Sequence, residues 1–296
     1  MAVVLHKYSG AGNDFIVIDG RDADVSAFRR PERISALCEE YFTDGLMILS
    51  RSERYDFRME FFNPDGSGGM MCGNGGRCIA AFAQAVGVQS GSGADWISRI
   101  GLRPETYLFE APDGLHTADI VRREGARATV RLKMKDVHEV VRWDSLPDVP
   151  GVEGWFLDTG TRHFVRFVPD AAKSDLAREG KAVRWSKAFA PQGVNANFVS
   201  VEGPGELRVR TFEKGVEGET LACGTGLTAS AIAACFKGEP PYKRAGRRMR
   251  YLLHARRDDL MVDFVYMQIV DYRRHEATYS AVDVYLIGPA EEVPLQ

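Results

Sequence analysis

The feature that most constrains the fold of this chain is a cysteine–glycine unit that occurs twice. Cys72-Gly73-Asn74-Gly75 and Cys223-Gly224-Thr225-Gly226 each open an apolar run that is typical of a buried helix. The first run ends at Gly87 and the second at Gly238, so each ends 15 residues after its cysteine (87 − 72 and 238 − 223). Because the same unit stands in each half of the sequence, we interpret the chain as an internal duplication of one domain.

The position of each cysteine, directly before a predicted helix, has a chemical consequence. The first N–H groups of a helix have no partner within the helix, and the helix dipole makes that end positive. Such an end stabilises a thiolate or a carboxylate. Two helix ends of this kind that face each other would form one site with two thiols and two places to bind an anion.

The composition is that of a globular protein with material for two hydrophobic cores. Of the 296 residues, 45% are hydrophobic and 27% are charged, which makes two domains the natural expectation. The net charge of −3 does not point to nucleic acid as a partner. No run approaches the roughly 18 apolar residues of a membrane span, and the first residues lack the charged leader of a signal peptide. We therefore expect neither a nucleic-acid partner nor a membrane partner.

The cysteine pattern predicts a cytoplasmic protein with reduced thiols. The chain has five cysteines, an odd number, and no secretory signal is evident. No two cysteines have the Cys-x-x-Cys spacing, and no histidine lies near a cysteine in sequence, so we expect no metal site. Cys38, Cys78 and Cys235 lie within apolar helical stretches and are interpreted as small core residues.

Short β-like runs outnumber helical patterns and predict an α+β fold. Segments rich in Val, Ile and Phe, bounded by Gly, Asp and Pro, recur along both halves. Strong helical patterns are limited to residues 31–41 and to the two runs after the cysteines. Helices among many strands, without regular βαβ alternation, favour the α+β class.

Several other segments have an expected structure. Residues 140–154, rich in proline and aspartate, are interpreted as an inter-domain connection, and residues 88–105 as a loop or insertion. The seven basic residues between positions 243 and 257 are interpreted as the exposed side of an edge hairpin, because no aromatic stacking pattern accompanies them. A second, weaker echo relates Asn13 and Asn195, each of which precedes an apolar run.

Two cysteines in equivalent settings favour proton transfer at both faces of one carbon. One thiolate removes a proton and the opposite thiol returns one to the other face, which inverts the configuration. The α-hydrogen of an amino acid is weakly acidic, and most enzymes use a cofactor as the electron sink. No pyridoxal motif is evident, so we expect no cofactor and assign stabilisation of the carbanion to the N–H groups of Gly73, Asn74, Gly224 and Thr225 in a closed, dry cleft.

Two alternative functions compete with this hypothesis. Glycine-rich turns such as Gly66-Ser67-Gly68-Gly69 also bind phosphate, but no Gly-Lys-[Ser/Thr] ending follows, and residues 73–78 lack the third glycine of G-x-G-x-x-G. A non-catalytic protein that binds amino acids or anions is the other alternative. The second cysteine argues against it, because binding alone needs no thiol.

Four motifs, in order along the chain, carry a resemblance to the diaminopimelate epimerase family. They are Gly10-Ala11-Gly12-Asn13-Asp14-Phe15, Phe62-Asn63-Pro64-Asp65-Gly66-Ser67, Met71-Cys72-Gly73-Asn74-Gly75-Gly76-Arg77-Cys78 and Glu219-Thr220-Leu221-Ala222-Cys223-Gly224-Thr225-Gly226. The match continues to the closing segment 283–290. The resemblance implies two similar domains, each a curved, mostly antiparallel sheet wrapped around a central helix, with the active site in the cleft between them. It implies domains of residues 1–139, to which 283–296 return, and 140–282.

The resemblance also implies an activity and a set of site residues. The activity is conversion of LL- to meso-diaminopimelate, a cofactor-independent step towards lysine and peptidoglycan, in an enzyme that is expected to be a cytoplasmic homodimer. The residues that match the family's acid and base are Cys72 and Cys223. The residues that match its substrate-binding positions are Asn13, Asn63, Gly73, Asn74, Asn195, Glu213, Lys214, Gly224 and Thr225, with His163 and Thr161 in supporting positions.

Two departures from the family pattern fall where the non-reacting end of the substrate is expected to bind. The family usually has Glu-Arg where this chain has Glu213-Lys214, and arginine binds a carboxylate through two parallel hydrogen bonds whereas lysine offers a point charge. The family also usually has Gly-Asn-Pro-His where this chain has Gly160-Thr161-Arg162-His163, and Arg162 is a candidate to replace the missing guanidinium. A related racemase of another amino acid therefore remains the alternative to the epimerase.

Overall fold

The computed structural model describes residues 3–69, 71–91, 105–271 and 276–295. The chain divides into two compact units: unit 1 comprises residues 1–133 and 287–296, and unit 2 comprises residues 134–286. Strands dominate both units, and each unit has one long central helix, so the predicted α+β class is confirmed.

The described residues of unit 1 include two α-helices, and its last strand, β17, begins within unit 2. Its strands are β1 (Leu5–Gly10), β2 (Asn13–Asp19), β3 (Leu46–Ser50), β4 (Phe57–Phe62), β5 (Thr106–Ala111), β6 (Gly114–Glu124), β7 (Arg127–Lys133) and the second half of β17 (Glu276–Val293). Its helices are the short 3₁₀ turn Ser26–Arg29, α1 (Pro31–Tyr41) and α2 (Gly73–Ala85).

Unit 2 has a longer list of elements because its connections carry short helical turns. Its strands are β8 (Val140–Trp143), β9 (Gly154–Asp158), β10 (Arg162–Phe167), β11 (Asn195–Gly203), β12 (Glu206–Glu213), β13 (Gly218–Glu219), β14 (Lys243–Ala245), β15 (Arg248–His254) and β16 (Asp259–Asp271). Its helical elements are Ala171–Lys173, Leu176–Gly180, α3 (Lys181–Arg184), Lys187–Phe189 and α4 (Gly224–Lys237).

The strands of unit 1 form a closed ring. Each strand from β1 to β7 pairs with the next, and β17 pairs with both β7 and β1. Helix α2 lies inside this ring, because it packs against β1, β2, β3, β6 and β7 and every residue from Gly73 to Ala83 is buried. A helix that is buried on all sides needs small or apolar residues throughout, which the run of alanines after Cys78 supplies.

The strand pairings of unit 2 repeat those of unit 1. From β1 to β6 successive pairs are antiparallel, parallel, antiparallel, parallel and antiparallel. The series β9–β10–β11–β12–β15–β16 has the same order. Helices α2 and α4 each lie in the connection between the two strands of the second parallel pair. This shared order supports the internal duplication.

Strands β2 and β3 are buried on both faces because a helix covers each face. Ile16, Ile18, Leu46 and Ile48 pack with residues of α1, whereas the alternate residues of the two strands face α2. This arrangement explains why both strands are continuous apolar runs rather than alternating ones.

Three expectations need correction or limitation. Val140–Trp143 forms β8, which pairs with β9, so residues 140–154 belong to unit 2 and are not a free connection. Strands β2 and β10 are equivalent in pairing order, whereas Asn195 begins β11, so Asn13 and Asn195 do not occupy repeated positions. The predicted loop at 88–105 lies mainly outside the described residues.

Most of the basic segment 243–257 forms a hairpin, as expected, but Arg248 and Arg250 are half-buried rather than exposed, because β15 is paired on both sides. Strands β14 and β15 pair across its turn, and arginines of β15 form ion pairs with Asp263 and Asp283. Within the described ranges, no helix has the length and apolar character needed to cross a membrane.

The close approach of β1 to α2 gives a test of the fold. A side chain at Gly10 would place its Cβ 2.8 Å from the Cys78 Sγ and 2.9 Å from the Asn74 carbonyl oxygen. Because one of these neighbours is backbone, Gly10→Ala should lower the free energy of unfolding by about 1–3 kcal/mol, the usual cost of overpacking. Urea denaturation measures this value. Gly68→Ala is the matched control, since a Cβ there meets no atom within 4 Å. Equal stability of the two variants would contradict the packing described here.

Candidate active site

Cys72 is the residue that caps the N-terminus of α2. Its backbone is extended (φ −102°, ψ 154°), and its Sγ accepts a hydrogen bond from the Gly75 N–H at 3.2 Å. A sulfur that accepts this bond occupies the position of a capping oxygen and lies in the positive field of the helix end. The cysteine is partly exposed, whereas Gly73 and Asn74 behind it are buried.

A chain of side chains joins the start of α2 to the start of β2. The Asn74 Nδ2 donates to the Asn13 Oδ1 at 2.5 Å, and the Arg77 Nη2 donates to the Asn74 Oδ1 at 2.9 Å. Asn13 follows a two-residue turn in which Ala11 and Gly12 both have positive φ (55° and 105°), the geometry that tight hairpins require. The sequence-predicted residues Asn13, Asn74 and Cys72 are thus brought together in unit 1.

Asn63 lies in the turn that follows β4 and is held by that turn. Its side-chain Nδ2 donates to the Ser67 Oγ at 2.9 Å, and its backbone N–H donates to the Ser67 carbonyl at 2.9 Å. Ser67 is itself fixed by the Asp65 carboxylate. Asn63 lies nine residues before Cys72, and Lys214 lies nine residues before Cys223 (72 − 63 and 223 − 214), which agrees with the duplication.

Cys223 occupies the N-cap position of α4, as Cys72 does in α2, but its side chain makes no capping hydrogen bond. Its backbone is extended (φ −110°, ψ 104°), its side chain is 8% exposed, and its Sγ lies 3.4 Å from the Thr225 Oγ1. The Thr225 carbonyl accepts a hydrogen bond from the Thr159 hydroxyl at 3.0 Å, which ties the helix start to the end of β9. A Cβ at Gly226 would lie 2.4 Å from the Asn197 Oδ1, so this glycine permits close packing of the helix on β11.

Glu213 is the titratable group that contacts Cys223. Burial raises the pKa of the Glu213 carboxyl, and the neighbouring Thr220 hydroxyl and Cys223 thiol oppose that rise. A raised carboxyl pKa lies closer to the pKa of a thiol, which makes proton exchange between the two groups easier. Glu213 ends β12, so its position is set by the strand next to α4.

His163 is a buried neutral base whose orientation is fixed by Asn197. It is 0% exposed, and burial lowers its pKa to about 3. The Asn197 Nδ2 lies 3.0 Å from the His163 Nδ1 and also donates to the Phe164 carbonyl. A carbonyl only accepts hydrogen bonds, so the Asn197 amino group faces both partners. The His163 Nδ1 therefore accepts a hydrogen bond, which assigns the proton of the neutral imidazole to Nε2. In the described part of the chain, Nε2 has no hydrogen-bond partner.

Asn195 uses its side chain to connect β10 with the residue after β12. Its Nδ2 donates to the Arg162 carbonyl at 3.2 Å and lies 3.4 Å from the Thr161 Oγ1. Its Oδ1 accepts the backbone N–H of Lys214 at 2.8 Å. Thr161, Asn195 and Lys214 are therefore adjacent, and the Lys214 side chain is exposed.

Arg162 does not lie with these residues, because neighbouring side chains on a strand point to opposite faces. Its guanidinium donates to the Phe189 carbonyl and the Gln192 Oε1 and lies over the Phe156 ring. The guanidinium is thus committed to holding a neighbouring segment of unit 2. The geometry gives no support to Arg162 as a substitute for the family's arginine.

A clasp that the sequence did not reveal holds the turn after Lys214. Glu217 has a positive φ of 56°, unusual for a residue with a side chain, and its carboxylate accepts hydrogen bonds from Arg184 and Trp185. Arg184 is only 5% exposed and stacks on the Trp185 ring. The Gly215 N–H also donates to Glu217, so the clasp fixes the backbone beside Lys214.

Sequence reasoning missed Asn197, Arg184 and Glu217. The spacing of two between Asn195 and Asn197 was the available signal, because it places both amides on one face of β11. Arg184 and Glu217 are far apart in sequence and gave no local signal. In the parts of unit 1 and unit 2 that are described, no three His, Cys, Asp or Glu side chains cluster in a way that would hold a metal ion.

Comparison of sequences identifies similar proteins with a shared name. A family model described as diaminopimelate epimerase matches residues 5–127 and 155–246. A diaminopimelate epimerase from Flavobacterium psychrophilum is 38% identical over 232 residues, which cover 77% of this chain and 80% of the relative. A diaminopimelate epimerase from Aquifex aeolicus is 36% identical over 245 residues, which cover 78% and 81% of the two chains.

Solved structures with lower identity share the fold. A phenazine biosynthesis protein of the PhzF family from Bacillus anthracis aligns with a TM-score of 0.62 at 13% identity, covering 99% of this chain and 98% of its own. A probable proline racemase from Agrobacterium radiobacter aligns with a TM-score of 0.57 at 15% identity, covering 100% and 94%. At such identities the likeness establishes the architecture alone.

The buried imidazole of His163 predicts a loss of stability in acid. Between pH 6.5, its ordinary pKa, and about 3, the unfolded chain binds a proton that the folded chain does not. The free energy of unfolding should therefore fall as the pH drops through this range, by at most about 1.4 kcal/mol per pH unit. The raised pKa of Glu213 has the opposite effect on the free energy of unfolding at pH values above 4.5. The wild type must therefore be compared with a variant that keeps Glu213.

His163→Gln removes the titrating group and should flatten the pH dependence of the free energy of unfolding. Urea denaturation at several pH values between 4 and 7 measures it. His138→Gln makes the same substitution at an exposed position and serves as the control. Parallel curves for the wild type and the His163→Gln variant would show that folding does not lower the pKa of His163.

Proposed function

This chain belongs to the diaminopimelate epimerase family, and we propose that it interconverts LL- and meso-2,6-diaminopimelate by proton transfer between two cysteines. The observation that carries the proposal is the equivalent placement of two thiols. Cys72 and Cys223 each occupy the N-cap position of a helix, α2 or α4. In its own unit, each helix connects the two strands of the second parallel pair. A binding protein needs one such helix end, whereas inversion of a carbon needs an acid and a base of matched chemistry.

The reaction balances with one proton in and one proton out. A thiolate removes the α-hydrogen as a proton, and the electron pair of the broken C–H bond stays on the carbon. The opposite thiol then gives its proton to the other face of that carbon, which forms the new C–H bond with inverted configuration. The two cysteines exchange roles between the two directions of the reaction, so no net proton is consumed.

The developing negative charge needs stabilisation, and the helix ends are suited to supply it. The N–H groups of Gly73 and Asn74 at one end, and of Gly224 and Thr225 at the other, precede the first hydrogen bonds of their helices. Hydrogen bonds from these preorganised N–H groups to the α-carboxylate become stronger as negative charge moves onto the carboxylate from the carbanion. The chemistry thus proceeds without an electron sink supplied by a cofactor.

Each cysteine must be partly ionised to act as a base. A thiol pKa that is lowered too far, however, makes the thiolate a weak base. Glu213, with its raised pKa and its position beside Cys223, is placed to accept the proton of that thiol. His163 is held in the tautomer that carries its proton on Nε2, so in its neutral form it donates from that atom. We propose that these two groups support the acid–base pair and do not themselves react with the carbon.

The distal end of the substrate is expected to meet Thr161, Asn195 and Lys214. Thr161, Asn195 and Lys214 lie adjacent in unit 2, and the exposed Lys214 ammonium supplies the positive charge for a carboxylate. The alternative, racemisation of another amino acid, rests on the same two departures, since a lysine and a threonine replace residues usual in the family. We further propose that the enzyme is a cytoplasmic homodimer that acts in lysine and peptidoglycan precursor synthesis.

Exchange in deuterated water separates these functions. The reduced protein is incubated with LL-diaminopimelate, with other amino acids in parallel, and loss of the α-hydrogen signal is followed by NMR. Exchange with diaminopimelate alone is the expected result. Exchange only with another amino acid would move the assignment to a racemase, and exchange with none would leave a binding protein.

The two-thiol mechanism predicts that both cysteines are indispensable. Cys72→Ala and Cys223→Ala should each lower the epimerisation rate by at least about 100-fold, the lower range for loss of a positioned acid or base. Cys235→Ala removes a thiol from the other end of α4 and is the matched control. Near-normal turnover by either active-site variant, with circular dichroism showing an intact fold, would contradict the mechanism.

Lys214 should contribute binding rather than chemistry. Lys214→Met is expected to raise the KM for diaminopimelate about tenfold with a change in kcat below about threefold, because the lost contact is the same in the ground and transition states. Lys173→Met, at another exposed lysine, is the control. An unchanged KM would show that the distal carboxylate is bound without Lys214.

A further inference from the structure

We infer that Arg77 and Asn74 form a hydrogen-bond relay that sets the polarity of Asn13, so that Asn13 presents N–H donors to a carboxylate of the substrate. The inference rests on the proposed function, which places Asn13 in the substrate site. It assigns to Arg77 a positioning role, because the guanidinium acts on the substrate only through two asparagine side chains.

The relay begins at a buried group that can only donate. Arg77 is 0% exposed and donates to the Asn74 Oδ1 at 2.9 Å, to the Gly73 carbonyl at 3.0 Å and to the Pro289 carbonyl at 3.3 Å. A guanidinium has five N–H donors and no acceptor. The Asn74 side chain must therefore face Arg77 with its oxygen, since the reverse orientation would place two donors against each other in a buried site.

Asn74 passes this orientation on to Asn13. With its oxygen on Arg77, the Asn74 amino group points to Asn13, and it donates to the Asn13 Oδ1 at 2.5 Å. Asn74 is 3% exposed, so a reversed, unsatisfied amide would carry a desolvation cost. The oxygen of Asn13 is thus occupied, and its amino group makes no hydrogen bond to the residues that the structure describes.

The orientation of Asn13 selects the kind of group that it binds. Near neutral pH diaminopimelate carries carboxylates, which only accept hydrogen bonds, and ammonium groups, which only donate. The Asn13 amino group can pair with a carboxylate but not with an ammonium group. A reversed Asn13 would have the opposite preference. Because Asn74 is also the second residue of α2, the Asn13 donors lie beside a helix end that favours negative charge as well.

Substitution of Asn74 distinguishes polarity from packing. Asn74→Asp is nearly isosteric and still accepts from Arg77, but it turns a second oxygen towards Asn13. Asn13 must then donate its amino group to Asp and present its own oxygen to the substrate. Asn74→Ala removes the side chain without imposing an orientation. A packing role predicts the larger defect for the alanine variant, whereas the relay predicts the larger defect for the aspartate variant.

The first measurement is steady-state kinetics with LL-diaminopimelate. We expect Asn74→Asp to raise KM by about 10- to 100-fold, the loss that corresponds to a hydrogen bond to a charged group, with a smaller fall in kcat. Arg77→Lys keeps a donor-only side chain and should raise KM less than Arg77→Met. A folded Asn74→Asp variant with a KM at or below that of Asn74→Ala would overturn the relay.

The second measurement observes Asn13 directly and does not depend on turnover. The side-chain amide resonances of Asn13, identified in ¹⁵N-labelled protein by their loss in Asn13→Asp, should shift downfield in Asn74→Asp because the amino group gains an acceptor. In the wild type they should shift on saturation with diaminopimelate, and in Asn74→Asp they should not. An Asn13 amide signal that is unaffected by Asn74→Asp would overturn the relay.

The two proposals fail in different ways. If the wild type exchanges no α-hydrogen of diaminopimelate, the proposed function fails, while the change of the Asn13 signal in Asn74→Asp still tests the relay. If the wild type is active and the Asn13 signal does not respond to Asn74→Asp, the relay fails and the epimerase assignment stands.

Discussion

The rest of the structure depends on the fact that α2 begins inside a closed ring of strands. The first N–H groups of a helix have no intrahelical partner, and here Gly73 and Asn74, which carry them, are buried. Buried donors are costly unless an acceptor satisfies them, so this helix end favours an anion. Arg77 adds a second buried source of donors next to the same end. The result is a site whose polarity is fixed before any ligand arrives.

Much of the fold was accessible from the sequence because its signals are local. Helix α1 was predicted over residues 31–41 from its i, i+3, i+4 pattern, and the helices after the cysteines followed from their apolar runs. The strand β8 was missed because four residues among prolines and aspartates carry almost no periodicity. The ring closure by β17 was not accessible from local pattern, since it joins residues separated by most of the chain.

The candidate site, too, could be predicted only in part from the sequence. Cys72 and Cys223 were singled out from the sequence because the unit that contains each of them is repeated, and the two occupy the N-cap positions of equivalent helices. The orientation of an amide has no sequence signature, so the arrangement of Asn74 towards Arg77, and of Asn197 towards His163, required coordinates. The clasp between Arg184 and Glu217 was missed for the related reason that charged residues far apart in sequence give no sign of pairing.

The pairing of β17 with β1 and β7 also has a consequence for the order of events during synthesis. The residues from 287 onward that complete unit 1 leave the ribosome after all of unit 2 has been made. Until then β1 and β7 expose unpaired edges, which are templates for aggregation. A nascent chain of this protein is therefore expected to hold its first half in an incomplete state, open to chaperones, for the whole time that translation takes to reach its last strand.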